Sequence, residues 1–329
     1  MVVKLSGQGI NGDTNISQFL GNSDNRFENV QFVFGPQQQD ADIWFVADAI
    51  DESDASCDCS LTVFLSGETM WGPTFFLHSR AWRKYLSQFD HIYTNQALGW
   101  ANSLFALPFL PWMINAFHGP SILTSHHRDR NFLAHVELPP KKKKLSVVCS
   151  SKTITKGHVL RNKFLEFLSE HLGDHLEWYG SGTRFVAEKW DAIAPFQFHL
   201  VLENQSSYGM VSEKLYDAFL GQSYPIYWGA PDVDRYFPRQ SLTTLNLFDF
   251  QGSLNAIREC LESDVYQVSI SQRLRARDLV LDKYNLFIRI ARLAQNLSAS
   301  PLSSRRVIKI RPVSEIRHRW ESRLSRYAW

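Results

Sequence analysis

Short apolar runs spaced by helical segments constrain this chain more than any other feature. VVKLSG, VQFVFG, ADIWFVAD and LTVFLSGE (Leu61–Glu68) are brief and rich in Val, Ile, Leu and Phe, the pattern of buried strands. AWRKYLSQF reads as a short helix and HIYTN as another strand. After LPPKKKK (Leu138–Lys144) a second series begins. It runs LSVVCSS as strand, GHVLRNKFLEFLSEHL as helix with Leu160, Phe164, Phe167, Leu168 and Leu172 inward, and LEWYG as strand. FHLVLEN, SEKLYDAFL, YPIYWG, a helical turn after Pro231 and LTTLNLF follow, with helices from Leu254 and from about Val265 to Leu297. Strands alternating with helices predict α/β layers with parallel sheets. Two prolines and four lysines make LPPKKKK the expected solvated linker. The predicted organisation is an N-terminal α/β lobe over 1–140, a C-terminal α/β lobe over 141–300 and a basic amphipathic tail over 301–329.

The totals narrow the class. At 329 residues, 44% hydrophobic and 21% charged, the chain is globular and long enough for two cores. A formal charge of +2 gives no reason to expect a nucleic-acid partner. Four scattered cysteines do not make a disulfide framework. MVVKLSGQGI lacks the apolar core of a signal peptide, so a cytoplasmic protein is expected, with peripheral contact at the inner membrane face left open by the tail. No Asp, Glu, Lys or Arg occurs between Asp90 and Arg128, yet Pro108 and Pro111 interrupt LGWANSLFALPFLPWMINAF, which favours a core segment with a turn over a membrane span. From Ser303 onward seven Arg and one Lys face two Glu, and Val313, Ile316, Trp320, Leu324 and Tyr327 share one helical face. That face either docks on the protein or lies on an anionic membrane.

One junction concentrates chemistry. LENQSSYGMVSEKLYDAF (Leu202–Phe219) passes from strand through a turn to a helix. In open α/β sheets ligands bind at the carboxyl ends of strands, and a helix start favours anions. Gly209 permits close backbone approach, Ser212 can cap the helix, and Lys214 sits where a cation opposes the helix dipole unless an anion is present. Glu213 suits a hydroxyl pair such as a ribose diol. The residues therefore fit a nucleoside-diphosphate site, or else an ordinary strand–helix connection with surface Glu and Lys.

The order LEN, QSSYGM, VSEKLYDAF, LGQSYPIYWG resembles the donor motif of the α-1,3-fucosyltransferase family, glycosyltransferase family ten, in its bacterial, soluble form. That motif is Phe-Glu-Asn, a loop, Tyr-(Val/Ile)-Thr-Glu-Lys, a helix and Pro-(Ile/Val)-x-x-Gly. SVVCSSKTITKGHVLRNKFLEFL is similar to the arginine-bearing segment upstream, LEWYGSG to a Tyr-Gly-x-Gly turn, and FLSGE to the segment with the catalytic base. Leu202 replaces the motif's Phe, Ser212 its Thr, and Met210 its Tyr, with Tyr208 two residues away; the change at Met210 leaves the donor's identity open.

The resemblance implies a GT-B-like fold of two Rossmann-type lobes with a cleft between them, GDP-fucose as donor, a glycan acceptor, inversion and no obligatory metal or other cofactor. Charge building on the departing diphosphate would be met by Arg161, Lys214 and the N–H groups around Val211–Glu213. Asn204 would bond the diphosphate or sugar, Glu213 the ribose, and Tyr208, Met210 and Ser212 complete the donor site. Glu68 is the expected general base. The alternatives are the same fold with another nucleotide sugar, or a non-catalytic glycan- or nucleotide-binding protein. Asp232–Asp234 reads as helix capping, SHHRDR (Ser125–Arg130) as a polar loop, and His199 as packed.

Overall fold

The computed structural model describes residues 1–7, 10–14, 16–67, 80–114, 128–153, 156–299 and 301–316. The chain forms two compact units: Met1–Leu110 with the residues from Leu286 onward, and Pro111–Asn285. The division thus falls well before the lysine run, and the Leu286–Leu297 helix belongs to the first unit rather than the second.

The first unit contains β1 (Val2–Gly7), β2 (Arg26–Phe27), β3 (Val30–Phe34), β4 (Ile43–Ala47), β5 (Ser56–Cys59), β6 (Leu61–Leu65), β7 (His91–Thr94) and β8 (Ser103–Phe105). Its main sheet has the order β2-β3-β1-β4-β6-β7-β8, parallel except for β2 against β3. Ile43, Trp44, Phe45 and Val46 are all buried, which explains why β4 reads as a continuous apolar run rather than an alternation. The long apolar stretch after Asp90 contributes β8 and irregular chain in which Leu107, Phe109, Trp112 and Ile114 are buried. Among the described residues no helix is long and apolar enough to cross a membrane.

The second unit holds β9 (Lys143–Val148), β10 (Leu176–Tyr179), β11 (Phe196–Leu202), β12 (Tyr224–Trp228) and β13 (Thr243–Thr244). All five are parallel, in the order β10-β9-β11-β12-β13. Helix Lys156–Leu172 follows β9, and helix Glu213–Leu220 follows β11. The former packs Phe164, Leu165, Leu168 and Leu172 against Leu145, Val147, Leu200 and Ile226 of the sheet. The helical stretch expected from about Val265 to Leu297 comprises three helices: Val265–Val268, Ile270–Leu281 and Leu286–Leu297.

The expected lysine hinge is instead structural. Lys141 is buried, and its ammonium donates to the carbonyls of Phe196 (2.9 Å) and Gly221 (2.6 Å) and to Ser223 Oγ (3.1 Å). Lys143 and Lys144 already belong to β9. Four like charges in sequence suggested solvation; the strand separates them, and three oxygens satisfy the one turned inward.

The tail returns to the first unit. β14 (Arg306–Lys309) pairs antiparallel with β5, Arg306 opposite Cys59 and Lys309 opposite Ser56. Ile310, Val313 and Ile316 enter the cluster of Trp82, Tyr85 and Phe89, while the Gln88 amide bonds both the N–H (2.9 Å) and the carbonyl (3.1 Å) of Arg311. Docking is therefore what this segment does as far as Ile316; Trp320, Leu324 and Tyr327 lie outside the described residues.

His199 is packed, as its strand position predicts. Its Nδ1 lies 2.8 Å from Ser146 Oγ, and burial, reinforced by Lys189 and Lys141, pushes the imidazole down to about 3. The native protein thus refuses a proton that the unfolded chain accepts near pH ~6.5. Stability held above that pH is lost as pH falls toward 3, at about 1.4 kcal/mol per pH unit from this group. Denaturant unfolding of wild type and His199→Gln should show their stability difference shifting against wild type by that slope between about pH 6 and 4. A difference that stays constant would refute it.

Candidate functional site

Strand order sets the surroundings of the junction that the sequence singles out. From β9 the chain moves outward to β10 on one side, then back across to β11 on the other, so the order reverses between β9 and β11. At such a switch point the two following connections diverge and leave a crevice at the carboxyl ends of the strands. Helices Lys156–Leu172 and Glu213–Leu220 both start there, each with N–H groups that have no partner within the helix. The two starts are close. A Cβ on Gly157 would lie 1.8 Å from the Asn204 carbonyl oxygen, so only glycine permits this approach.

A buried carboxylate sets the second helix start. Glu203, at the end of β11, is fully buried and accepts from the Ser212 N–H (2.8 Å) through one oxygen and the Ser212 hydroxyl (2.6 Å) through the other. Ser212 Oγ in turn accepts from the Lys214 N–H at 3.3 Å, the cap its position predicts. Burial raises the Glu203 carboxyl, opposed by Lys214.

The intervening loop is pinned from β12. Gly209, with φ of 65°, donates its N–H to Asp232 Oδ1 at 2.9 Å, and Tyr236 donates to Asp232 Oδ2. Asp232 makes no side-chain cap bond to the turn it precedes, so the expected capping role is corrected to that of a strut. Tyr227 donates its hydroxyl to the Met210 carbonyl and accepts from the Ala230 N–H.

The cations gather on this crevice. Lys214 Nζ lies 3.0 Å from Glu213 Oε1, 3.2 Å from Ser212 Oγ and 3.6 Å from Glu203 Oε2, with its side chain 18% exposed. Arg161 is buried and donates to the Leu202 carbonyl at 3.0 Å; its Nε has no hydrogen-bond partner among the described residues. Both act on the same two groups. Burial pushes the His158 imidazole down to about 4 with help from Arg161, Lys152 and Lys214, and burial raises the Cys149 thiol against the pull of Arg161 and Lys214. Arg161 holds the Leu202 carbonyl and Lys214 lies 3.6 Å from the carboxylate of the next residue, Glu203, so the guanidinium and the ammonium share the end of β11.

Of the residues singled out by sequence, Arg161, Asn204, Ser212, Glu213 and Lys214 come together here. Tyr208 stands 65% exposed on the loop. Met210 is fully buried. Glu68 lies outside the described residues, as do Ser125, His126 and His127 of SHHRDR. In the rest of that motif Asp129 caps a helix through the Phe132 N–H and Arg128 pairs with Glu188. Sequence reasoning missed His158, Lys189 and Asp217; only Asp217 left a signal, four residues beyond Glu213 on one helix face. Among the described residues no group of three or more His, Cys, Asp or Glu could hold a metal ion.

Two parallel-sheet α/β units in series, the second with a switch-point crevice carrying cations, define the GT-B class of glycosyltransferase fold. Residues 139–267 match Glycosyltransferase family 10 (fucosyltransferase) C-term. A 72-residue stretch is 38% identical to the alpha-(1,3)-fucosyltransferase FucT of Helicobacter pylori, covering 22% of this chain and 15% of that protein. A solved alpha1,3-fucosyltransferase superposes with a TM-score of 0.56 at 17% identity over 91% of each chain. The same enzyme class solved with GDP-fucose gives 0.51 at 15% identity, over 98% of this chain and 89% of the other. A trehalose-6-phosphate structure from E. coli with UDP-2-fluoro glucose gives 0.51 at 12%, over 82% and 75%. At these identities the structures speak for the fold.

Proposed function

We propose that the chain is an inverting glycosyltransferase that moves L-fucose from GDP-fucose to a hydroxyl of a glycan. The observation that carries this reading is the pairing of Arg161 and Lys214 with two helix starts at the β9–β11 switch point, inside the segment that matches the family. The matched fold has been solved elsewhere with GDP and with GDP-fucose.

The roles follow from charge. Glu68 takes the proton of the acceptor hydroxyl, whose oxygen attacks the anomeric carbon from the face opposite the nucleotide. The bond from that carbon to the β-phosphate oxygen breaks, and its electron pair leaves with GDP. Lys214, Arg161 and the N–H groups at the start of helix Glu213–Leu220 meet the charge gathering on that oxygen. Glu213 accepts from the ribose hydroxyls, and Asn204 bonds the diphosphate or the sugar. The chemistry uses no metal, and the chain acts on a nucleotide sugar and a glycan without nucleic acid.

Thermal unfolding with GDP-, UDP- and dTDP-sugars, followed by transfer assays, tests the reading. GDP-fucose should raise Tm most, and Glu68→Gln should keep that shift while losing about a thousandfold in transfer. No shift with any nucleotide sugar would overturn it; a larger shift with a UDP- or dTDP-sugar would move the donor and keep the fold's chemistry.

A further inference from the structure

Helix Glu213–Leu220 presents two carboxylates one turn apart, and only the first is used above. Asp217 is fully buried. One of its oxygens accepts from the Met113 N–H at 2.8 Å, and the other holds Lys189 Nζ at 2.5 Å. Burial still pushes the Asp217 carboxyl up, to about 6, against the pull of Lys189. Lys189 lies outside the switch-point loops, in the turn Lys189–Ala192 that leads into β11. Its charge nevertheless reaches Glu213: burial raises that carboxyl, and Lys214 and then Lys189 overcome the rise and hold it below the usual carboxylate range. The charged groups acting on Glu213 are thus Lys214 and Lys189, with Glu203 and Asp217 as like charges near by.

This arrangement bears on what happens when an anion arrives. Lys214 bonds Glu213 at 3.0 Å, and the same ammonium is the cation proposed to meet a diphosphate. As Lys214 turns to phosphate, a nearly buried carboxylate loses its closest cation, and such a group takes up a proton. A protonated acid turns one of its two acceptor oxygens into an O–H donor and no longer receives a hydroxyl on each.

We propose that Lys189, locked in place by Asp217, is the positioning residue that keeps Glu213 an anionic acceptor for the ribose diol once Lys214 engages the diphosphate. The proposal rests on the nucleotide reading of Glu213 and Lys214. Lys189 acts through Glu213 and touches no ligand, and Asp217 keeps its ammonium from swinging away.

Titration calorimetry with GDP and 2′,3′-dideoxy-GDP, at about pH 7.5 and 5.5, tests it. Lys189→Met should weaken GDP about tenfold and leave the dideoxy nucleotide unchanged, since that ligand lacks the hydroxyls Glu213 would receive. The loss should deepen at the lower pH, and Lys189→Arg should restore binding. Removing Lys189 alone strands a buried carboxylate, so the Lys189→Met/Asp217→Asn pair, which leaves no lone charge, serves as the second variant and should show a smaller loss, still confined to GDP, because the like charge of Asp217 goes with the cation. Equal weakening of both nucleotides, or no weakening of either, would overturn the proposal and leave the nucleotide reading standing. A wild-type protein that binds neither nucleotide, or does not distinguish them, would overturn the assignment of Glu213 and this proposal with it.

Discussion

Lys214→Ala is expected to weaken GDP binding about a hundredfold, the usual scale for removing one partner of a desolvated charge pair. The ammonium stands 3.0 Å from Glu213 and 3.6 Å from the buried Glu203, so its loss also leaves two carboxylates with less compensation. Repulsion between them then adds to the missing attraction for phosphate. Calorimetry on wild type, Lys214→Ala and Lys214→Arg separates the effects, because arginine restores the charge without the ammonium's compact geometry. Arginine should recover part of the affinity. Affinity unchanged in the alanine variant would remove Lys214 from the site.

Gly157→Ala should be the most damaging single methyl in the second unit. The added carbon would sit 1.8 Å from the Asn204 carbonyl oxygen and 2.8 Å from its carbon, both backbone atoms that cannot rotate away. The two helix starts must separate, at a cost of about 3 kcal/mol by the scale of overpacking. GDP binding should fall with it, since the separation opens the crevice that Arg161 and Lys214 share. Gly12, where a Cβ meets nothing within 4 Å, is the control and should tolerate alanine. A Gly157→Ala protein as stable as wild type, with full nucleotide affinity, would show that the approach of the two helices is unimportant.

The parts of this molecule that were legible in sequence are those written in local pattern. Continuous apolar runs gave β1, β4, β6, β9, β11 and β12, because a strand buried on both faces leaves no alternation to misread. The cap at Ser212 was equally local, being fixed by a hydroxyl two residues before the N–H it accepts from. What escaped was set by partners far along the chain. Nothing around LPPKKKK announces that the Phe196 and Gly221 carbonyls wait for Lys141, and nothing in DVD tells that Asp232 will hold the N–H of Gly209, 23 residues earlier. The reversal of strand order between β9 and β11 depends on every strand at once, so the crevice itself was invisible until the sheet was assembled.

A crystal structure of the protein with GDP tests the central claim most directly. The diphosphate should lie at the switch point between β9 and β11, with Lys214 Nζ about 3 Å from a phosphate oxygen and turned away from Glu213, and with Arg161 reaching the same group. A nucleotide bound elsewhere, with the 3.0 Å contact between Lys214 and Glu213 intact, would contradict it.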